Sequence, residues 1–275
     1  MSFVRTFILY IPRDSFIHRL DPATKLIIML TLSIQALVVG EPISGAVVFV
    51  ASMLFFLAAN LPMGVLRATL KYWLATMVII WITYTYSYSS QGSVLWQYGW
   101  LRLTDYSVLL ALTVMFRLFS VVTLALLLYC STTQRDIIAG FRKLGMPYLL
   151  TFVFALAIRT LSVLYSDYNR IREAQMARAL EMETGRFFER LKKHVYLMGP
   201  LIVTALSRVE AMSASIESRA FKVKKAGKRT FYYVTHMRDV DYVITCSLLL
   251  ETIIFLVLRY LYGYFTVPWL LSLIP

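Results

Sequence analysis

The chain has 275 residues, of which 59% are hydrophobic and 16% charged, against about 25% charged in an ordinary soluble domain. Those figures exclude a soluble globular protein, a disordered chain and a collagen-like or coiled-coil fibre. The 28 Lys and Arg outnumber the 15 Asp and Glu, leaving a net charge of +13. In so apolar a chain, this balance points to basic loops facing an anionic membrane surface before it points to nucleic acid.

Residues 1–19 are basic and broken by Pro12, so no cleavable signal peptide is expected. Asp21-Pro22 ahead of Ala23-Thr24-Lys25 reads as a helix start, because Asp caps free backbone N–H groups and Pro suits the first helical position. Glu41-Pro42 reads as a tight turn that begins the next helix. A membrane-spanning helix needs about 20 mostly apolar residues. Five stretches qualify: 26–40, 43–61, 72–88, 106–130, interrupted only by Arg117, and 242–258, carrying the single charge Glu251. The predicted class is therefore all-α, a polytopic membrane protein with about five spans. Both charges fall near mid-membrane, where an unpaired charge is costly; a pair between Arg117 and Glu251 is expected to lock spans four and five together, the rival being that Arg117 snorkels or meets backbone carbonyls while Glu251 stays protonated.

Arg5, Arg13, Arg19, Lys25, Arg67 and Lys71 lie on one side of these spans, and only Arg102, beside Glu41 and Asp105, on the other. The positive-inside rule puts the N-terminus in the cytoplasm and the C-terminus outside. The aromatic exit segment 262–269 then serves as an interfacial anchor.

Three regions follow: 1–130 with spans one to four, 131–241 as a cytoplasmic insertion, and 242–275 with the last span. Residues 131–238 hold nineteen Lys and Arg against eight Asp and Glu, a net charge of +11. Apolar residues recur there at helical spacing, which predicts three amphipathic helices. The first covers about 133–144, with Ile137, Ile138, Phe141 and Leu144 on one face, and Gly145-Met146-Pro147 breaks it. The second covers about 148–180, apolar around Arg159 in its first half and charge-rich in its second. The third covers about 186–221, with a kink expected at Gly199-Pro200. If 149–164 crossed the bilayer alone, the basic cluster 170–193 would lie outside, against the charge rule. Helices in or under the cytoplasmic interface are therefore preferred.

Small residues mark the later parts of both long helices: Ala174, Ala177 and Ala179 in one; Ala205, Ala211, Ser213, Ala214 and Ser215 in the other. Small residues let two backbones approach, so the helices are expected to cross at Ala174, Ala211, Ala214 and Ser215. Each long helix also ends in an Arg between two small residues, Ala177-Arg178-Ala179 and Ser218-Arg219-Ala220, followed by a large apolar residue. Arg near a helix C-terminus is favourable through the dipole alone. Its repetition points to a shared use, since small neighbours leave the guanidinium fork free to reach a partner's carboxylate or carbonyls.

These residues resemble the transmembrane T component of energy-coupling factor (ECF) transporters, the EcfT/CbiQ family. His18-Arg19-Leu20-Asp21-Pro22-Ala-Thr-Lys25-Leu26 is similar to the family's N-terminal segment, and the two triplets to its paired X-Arg-X signatures. Ala179 and Ala220 stand where the family usually has Gly. The resemblance implies a subunit that joins two cytoplasmic ATP-binding-cassette ATPases to a membrane S component, which binds a vitamin or transition-metal ion for import. It implies docking on the ATPases through Ala177, Arg178, Ala179, Ser218, Arg219 and Ala220, with one arginine in a groove of each ATPase.

The chain has no P-loop, so no catalysis and no cofactor of its own are expected, with ATP bound by the partner ATPases. A stand-alone secondary transporter or channel is the alternative, but Arg117 and Glu251 are too few to outline a relay. An integral-membrane enzyme finds no support, since His18, His194 and His236 are widely separated and no nucleophile–base motif appears. Cys130 and Cys246 have neither metal-ligand spacing nor a disulfide pattern, so no metal site is expected. The basic run 222–229 reads as a lipid-facing loop, and no nucleic-acid partner is expected.

Overall fold

A computed structural model describes residues 11, 13–87, 94–98, 101–178, 186–219, 221 and 233–262. The elements in chain order are α1 (Pro22–Val38), α2 (Pro42–Ala58), α3 (Met63–Ser87), β1 (Val94–Tyr98), β2 (Leu101–Thr104), α4 (Asp105–Ser131), α5 (Gln134–Lys143), α6 (Tyr148–Ala177), α7 (Phe187–Ser218) and α8 (Asp239–Tyr262).

Local chemistry explains the helix boundaries. Asp21 is extended and accepts the N–H of Ala23 at 2.9 Å, while Pro22 occupies the first turn of α1. Glu41 precedes α2 without a side-chain cap. Reciprocal capping boxes open α4 (Thr104 with Ser107) and α5 (Thr133 with Asp136). Gly145 ends the α5 region at φ +95°, a conformation glycine adopts at little cost. Helix α7 runs unbroken through Pro200, which cannot donate the backbone bond of a helix interior.

The all-α class holds, with one addition. β1 and β2 form an antiparallel hairpin, with Tyr98 opposite Leu101 and an irregularity between Val94 and Trp96. It stands in the connection between the third and fourth expected spans, where no strand was foreseen.

The chain divides into two compact units, 1–144 with 234–275, and 145–233. In the first, α4 packs against α1, α2 and α3, and α1 also carries α5 and α8. Its core joins Ile17, Phe56, Leu127 and Cys130, then Ile28, Leu32, Leu124 and Leu248, then Ala36, Val39 and Val48. Buried Thr31, Ser52, Thr113 and Ser120 bond carbonyls of their own helices, whereas the buried hydroxyls of Thr24 and Ser33 in α1 have no partner among the described residues. The outer faces expose Leu30, Ile34, Leu37, Val47, Val50 and Leu54, an apolar surface that fits lipid.

The unit boundaries differ from the expected division at 131 and 241. Helix α5, grouped with the insertion by its charge, packs on α1 in the first unit. A Cβ at Gly140 would lie 2.7 Å from Leu26 Cδ1 and 3.1 Å from the Pro22 carbonyl, so only glycine permits this approach. Among the described residues, α4, α6, Leu191–Ser218 of α7 and Asp239–Leu261 of α8 are long and apolar enough to cross a membrane, while α1 and α2 are shorter. By length and composition, α6 and α7 thus join the candidate spans, although their charge pattern predicts interfacial helices.

Candidate coupling surface

In the second unit, α6 and α7 pack together. Asp167 of α6 forms an ion pair with Arg208 of α7. At the other contact, Phe221 stacks on Phe152, with ring centroids 4.7 Å apart, and lies 6.0 Å from Tyr148. The end of the α7 region therefore meets the beginning of α6, and the helices run antiparallel. Asp167 is buried, and its charge is tolerated because Arg208 pairs it. Sequence patterning misses this pair, for nothing local connects positions 41 residues apart.

Arg178 and Arg219 are the C-cap residues of α6 and α7. The Arg178 N–H donates to the Gln175 carbonyl at 3.1 Å, and the Arg219 N–H to that of Glu217. Both side chains are exposed, and neither guanidinium has a partner among the described residues. Ser218 Oγ donates to the Ser215 carbonyl at 3.0 Å, leaving Arg219 unobstructed by it. Ala177 is exposed. Ala179 and Ala220 lie outside the described residues. Each arginine is eleven residues beyond Asp167 or Arg208, about 16 Å along its helix. Because the helices are antiparallel, the two arginines project at opposite ends of the pair.

That geometry corrects the expected crossing. Ala174, Ala211, Ala214 and Ser215 are all exposed, and the helix contact is made through Asp167, Arg208 and Phe221. Small residues near the C-termini of two antiparallel helices sit at opposite ends and cannot meet.

Arg117 and Glu251 also depart from expectation. Arg117 Nε donates to the Ala36 carbonyl at 3.1 Å, and its second nitrogen to the Val39 carbonyl. These carbonyls belong to the end of α1, where the helix leaves acceptors unfilled. Glu251 is exposed on α8 and makes no ion pair with Arg117. The guanidinium is satisfied by backbone, a partner with no sequence signature.

The N-terminal motif builds a buried polar cluster in the first unit. Lys143 Nζ pairs with Asp21 Oδ2, and the Asp21 N–H donates to Asp241 Oδ1 at 3.1 Å. Asp241 Oδ2 accepts the Arg238 N–H at 2.8 Å. Lys25, on the entrance turn ahead of the apolar run, donates to the carbonyls of His18 at 3.3 Å and Ser131 at 3.1 Å. Burial pushes its pKa down to about 8, against the opposing pull of Asp136, Asp21 and Asp241. His18 bridges Ser15 Oγ at 2.7 Å and the Ile11 carbonyl at 3.2 Å. Burial, reinforced by Lys25, lowers its pKa. Among the described residues, no three His, Cys, Asp or Glu side chains are grouped to hold a metal ion.

The profile of the CbiQ family, described as cobalt transport protein, matches residues 13–230. The chain is similar to proteins named energy-coupling factor transporter transmembrane protein EcfT. The one from Thermotoga maritima is 30% identical over 77% of this chain and 79% of its own length. The one from Acidaminococcus fermentans is 26% identical over 78% and 82%. The one from Lacticaseibacillus paracasei is 24% identical over 91% and 97%.

Proposed function

Because the chain belongs to the CbiQ/EcfT family, the multi-pass T components of ECF transporters, we propose that it couples two cytoplasmic ATP-binding-cassette ATPases to a substrate-binding S component. The complex imports a vitamin or a transition-metal ion. ATP is bound and hydrolysed on the partner chains, and this subunit is non-catalytic. Its N-terminus is cytoplasmic and its C-terminus external.

The observation that carries this reading is the pair of exposed C-cap arginines at opposite ends of one antiparallel helix pair. Lying along the cytoplasmic interface, such a pair offers both guanidiniums to the cytoplasm at once. Upright across the bilayer, it would place one of them on the far side. The interfacial placement therefore suits two ATPase subunits, one arginine on each. The apolar flanks, including Leu149, Phe154, Leu161, Ile202, Val203 and Leu206, are exposed within this chain and fit lipid or the S component. A stand-alone transporter is disfavoured because Arg117 is already engaged by backbone carbonyls.

Truncating a desolvated Arg that pairs with a carboxylate costs roughly 2–5 kcal/mol. Arg178→Ala with Arg219→Ala is thus expected to abolish recovery of the ATPases with the subunit, and uptake with it, while the subunit still inserts. Wild-type recovery and uptake by the double variant would overturn the assignment.

A further inference from the structure

The elements that flank 145–233 in sequence, α5 before it and α8 after it, meet at one buried cluster of the first unit. The outgoing connection begins after Leu144, one residue past Lys143, whose ammonium pairs with Asp21. The returning connection ends at Val234, and a few residues on Arg238 and Asp241 open α8. Asp241 receives the Asp21 N–H on one carboxylate oxygen and the Arg238 N–H on the other. The Asp21 side chain is wholly inaccessible, and Asp241 is 1% exposed. Lys25 secures the end of α4 through the Ser131 carbonyl, and the close approach at Gly140 seats α5 on α1. A structural helix cap at Asp21 needs only the Ala23 N–H. Here the same residue also holds α5 and α8, elements far from it in sequence.

We infer that Asp21, Lys143 and Asp241 form a clamp that fixes α5 and the start of α8 on α1, so that these three elements of the first unit move as one body during coupling. The inference rests on the coupling function proposed above and names the positioning residues through which this chain exerts it. The clamp acts only if α5 and α8 are both held on α1.

The test uses two readouts. Removing Lys143 alone strands a buried carboxylate and endangers folding, so the informative variant removes both charges: Asp21→Asn with Lys143→Met. Hydrogen–deuterium exchange on the full chain in detergent reads the clamp without reference to transport. The double variant is expected to exchange faster at 134–143 and 239–245 together, and Lys143→Arg to match wild type. Unchanged exchange, or a change at one of the two segments only, would overturn the clamp. In proteoliposomes holding the whole complex, uptake per ATP hydrolysed is expected to fall about tenfold in the double variant, within the usual range of coupling free energies. Lys143→Arg should retain the wild-type ratio. An unchanged ratio in the double variant, or uptake and hydrolysis falling in proportion, would overturn the positioning role. A wild-type complex that imports nothing on ATP would instead fail the functional reading, with the exchange result on the clamp standing by itself.

Discussion

Arg117 illustrates how a residue can be visible in sequence while its partner is not. A lone arginine in the apolar run 106–130 is conspicuous, and the cost of a bare charge there calls for a partner. The obvious candidate is an acid on another span, but the actual partners are the carbonyls of Ala36 and Val39. Any residue type supplies a carbonyl, so no pattern marks these two. Arg117→Leu leaves both acceptors without this donor, at roughly 1–3 kcal/mol each, and is expected to lower the melting temperature of the detergent-purified chain. Glu251→Ala should leave it unchanged and should not rescue Arg117→Leu. Rescue would restore the ion-pair reading. His18 gives a pH signature. Its lowered pKa means the folded chain binds fewer protons there than the unfolded chain, so stability rises with pH through this group. Its contribution is present above about 6.5, the ordinary histidine value, and is lost as pH falls from there toward the lower folded pKa. Melting curves between pH 7.5 and 5.5 are expected to show this loss, and His18→Gln to flatten it. An unaltered pH dependence in the variant would refute the assignment.

At the scale of elements, ends proved more legible than contacts. The Asp21-Pro22 start of α1 and the Gly145 stop after α5 are local chemistry, and the structure has both. The partnership of α6 and α7 is not local. Alanines that favour helix propensity look the same as alanines that admit a neighbouring backbone, so small residues alone misplace the contact. The pair Asp167–Arg208 sets the register instead. Asp167→Asn and Arg208→Gln are each expected to destabilise the α6–α7 contact, and the double variant to cost less than the sum. Simple additivity in the double-mutant cycle would show that the two side chains do not interact. Gly140 is the corresponding test for α5. Gly140→Val should drive α5 off α1 and expose 134–143 to proteolysis, whereas Gly64→Val, at an open position, should not. The β1–β2 hairpin went unforeseen because its strands are only five and four residues long, too short for alternation to stand out among apolar spans.

For the whole molecule, composition alone settles the membrane class, and charge asymmetry supplies an orientation. The division into units follows contacts that composition cannot register: α5 carries the charge of the insertion yet belongs with the spans. The proposed orientation places Asp14 and Lys143 inside and Gln97 of the hairpin outside. In a background with Cys130 and Cys246 replaced by Ser, a single cysteine at Gln97 is expected to react with a membrane-impermeant maleimide on intact cells. A cysteine at Asp14 should react only after permeabilisation. The opposite pattern would invert the topology.

The meeting of α5 and α8 at Asp21 also bears on how such a chain tolerates rearrangement. Lys143 pairs with Asp21, and the Asp21 N–H lies 3.1 Å from Asp241. The stretch 145–233 is thus a graft in sequence between two elements, α5 and α8, whose common anchorage on α1 makes its stem, the arrangement in which insertions and excisions leave a host fold intact. Joining Leu144 to Val234 through a short Gly-Ser linker should yield a miniature membrane protein that folds and inserts without its graft. Donor segments from other family members should be exchangeable at the same stem, carrying their choice of ATPase with them. Size-exclusion profiles and ATPase pull-downs of such chimaeras would read out both results.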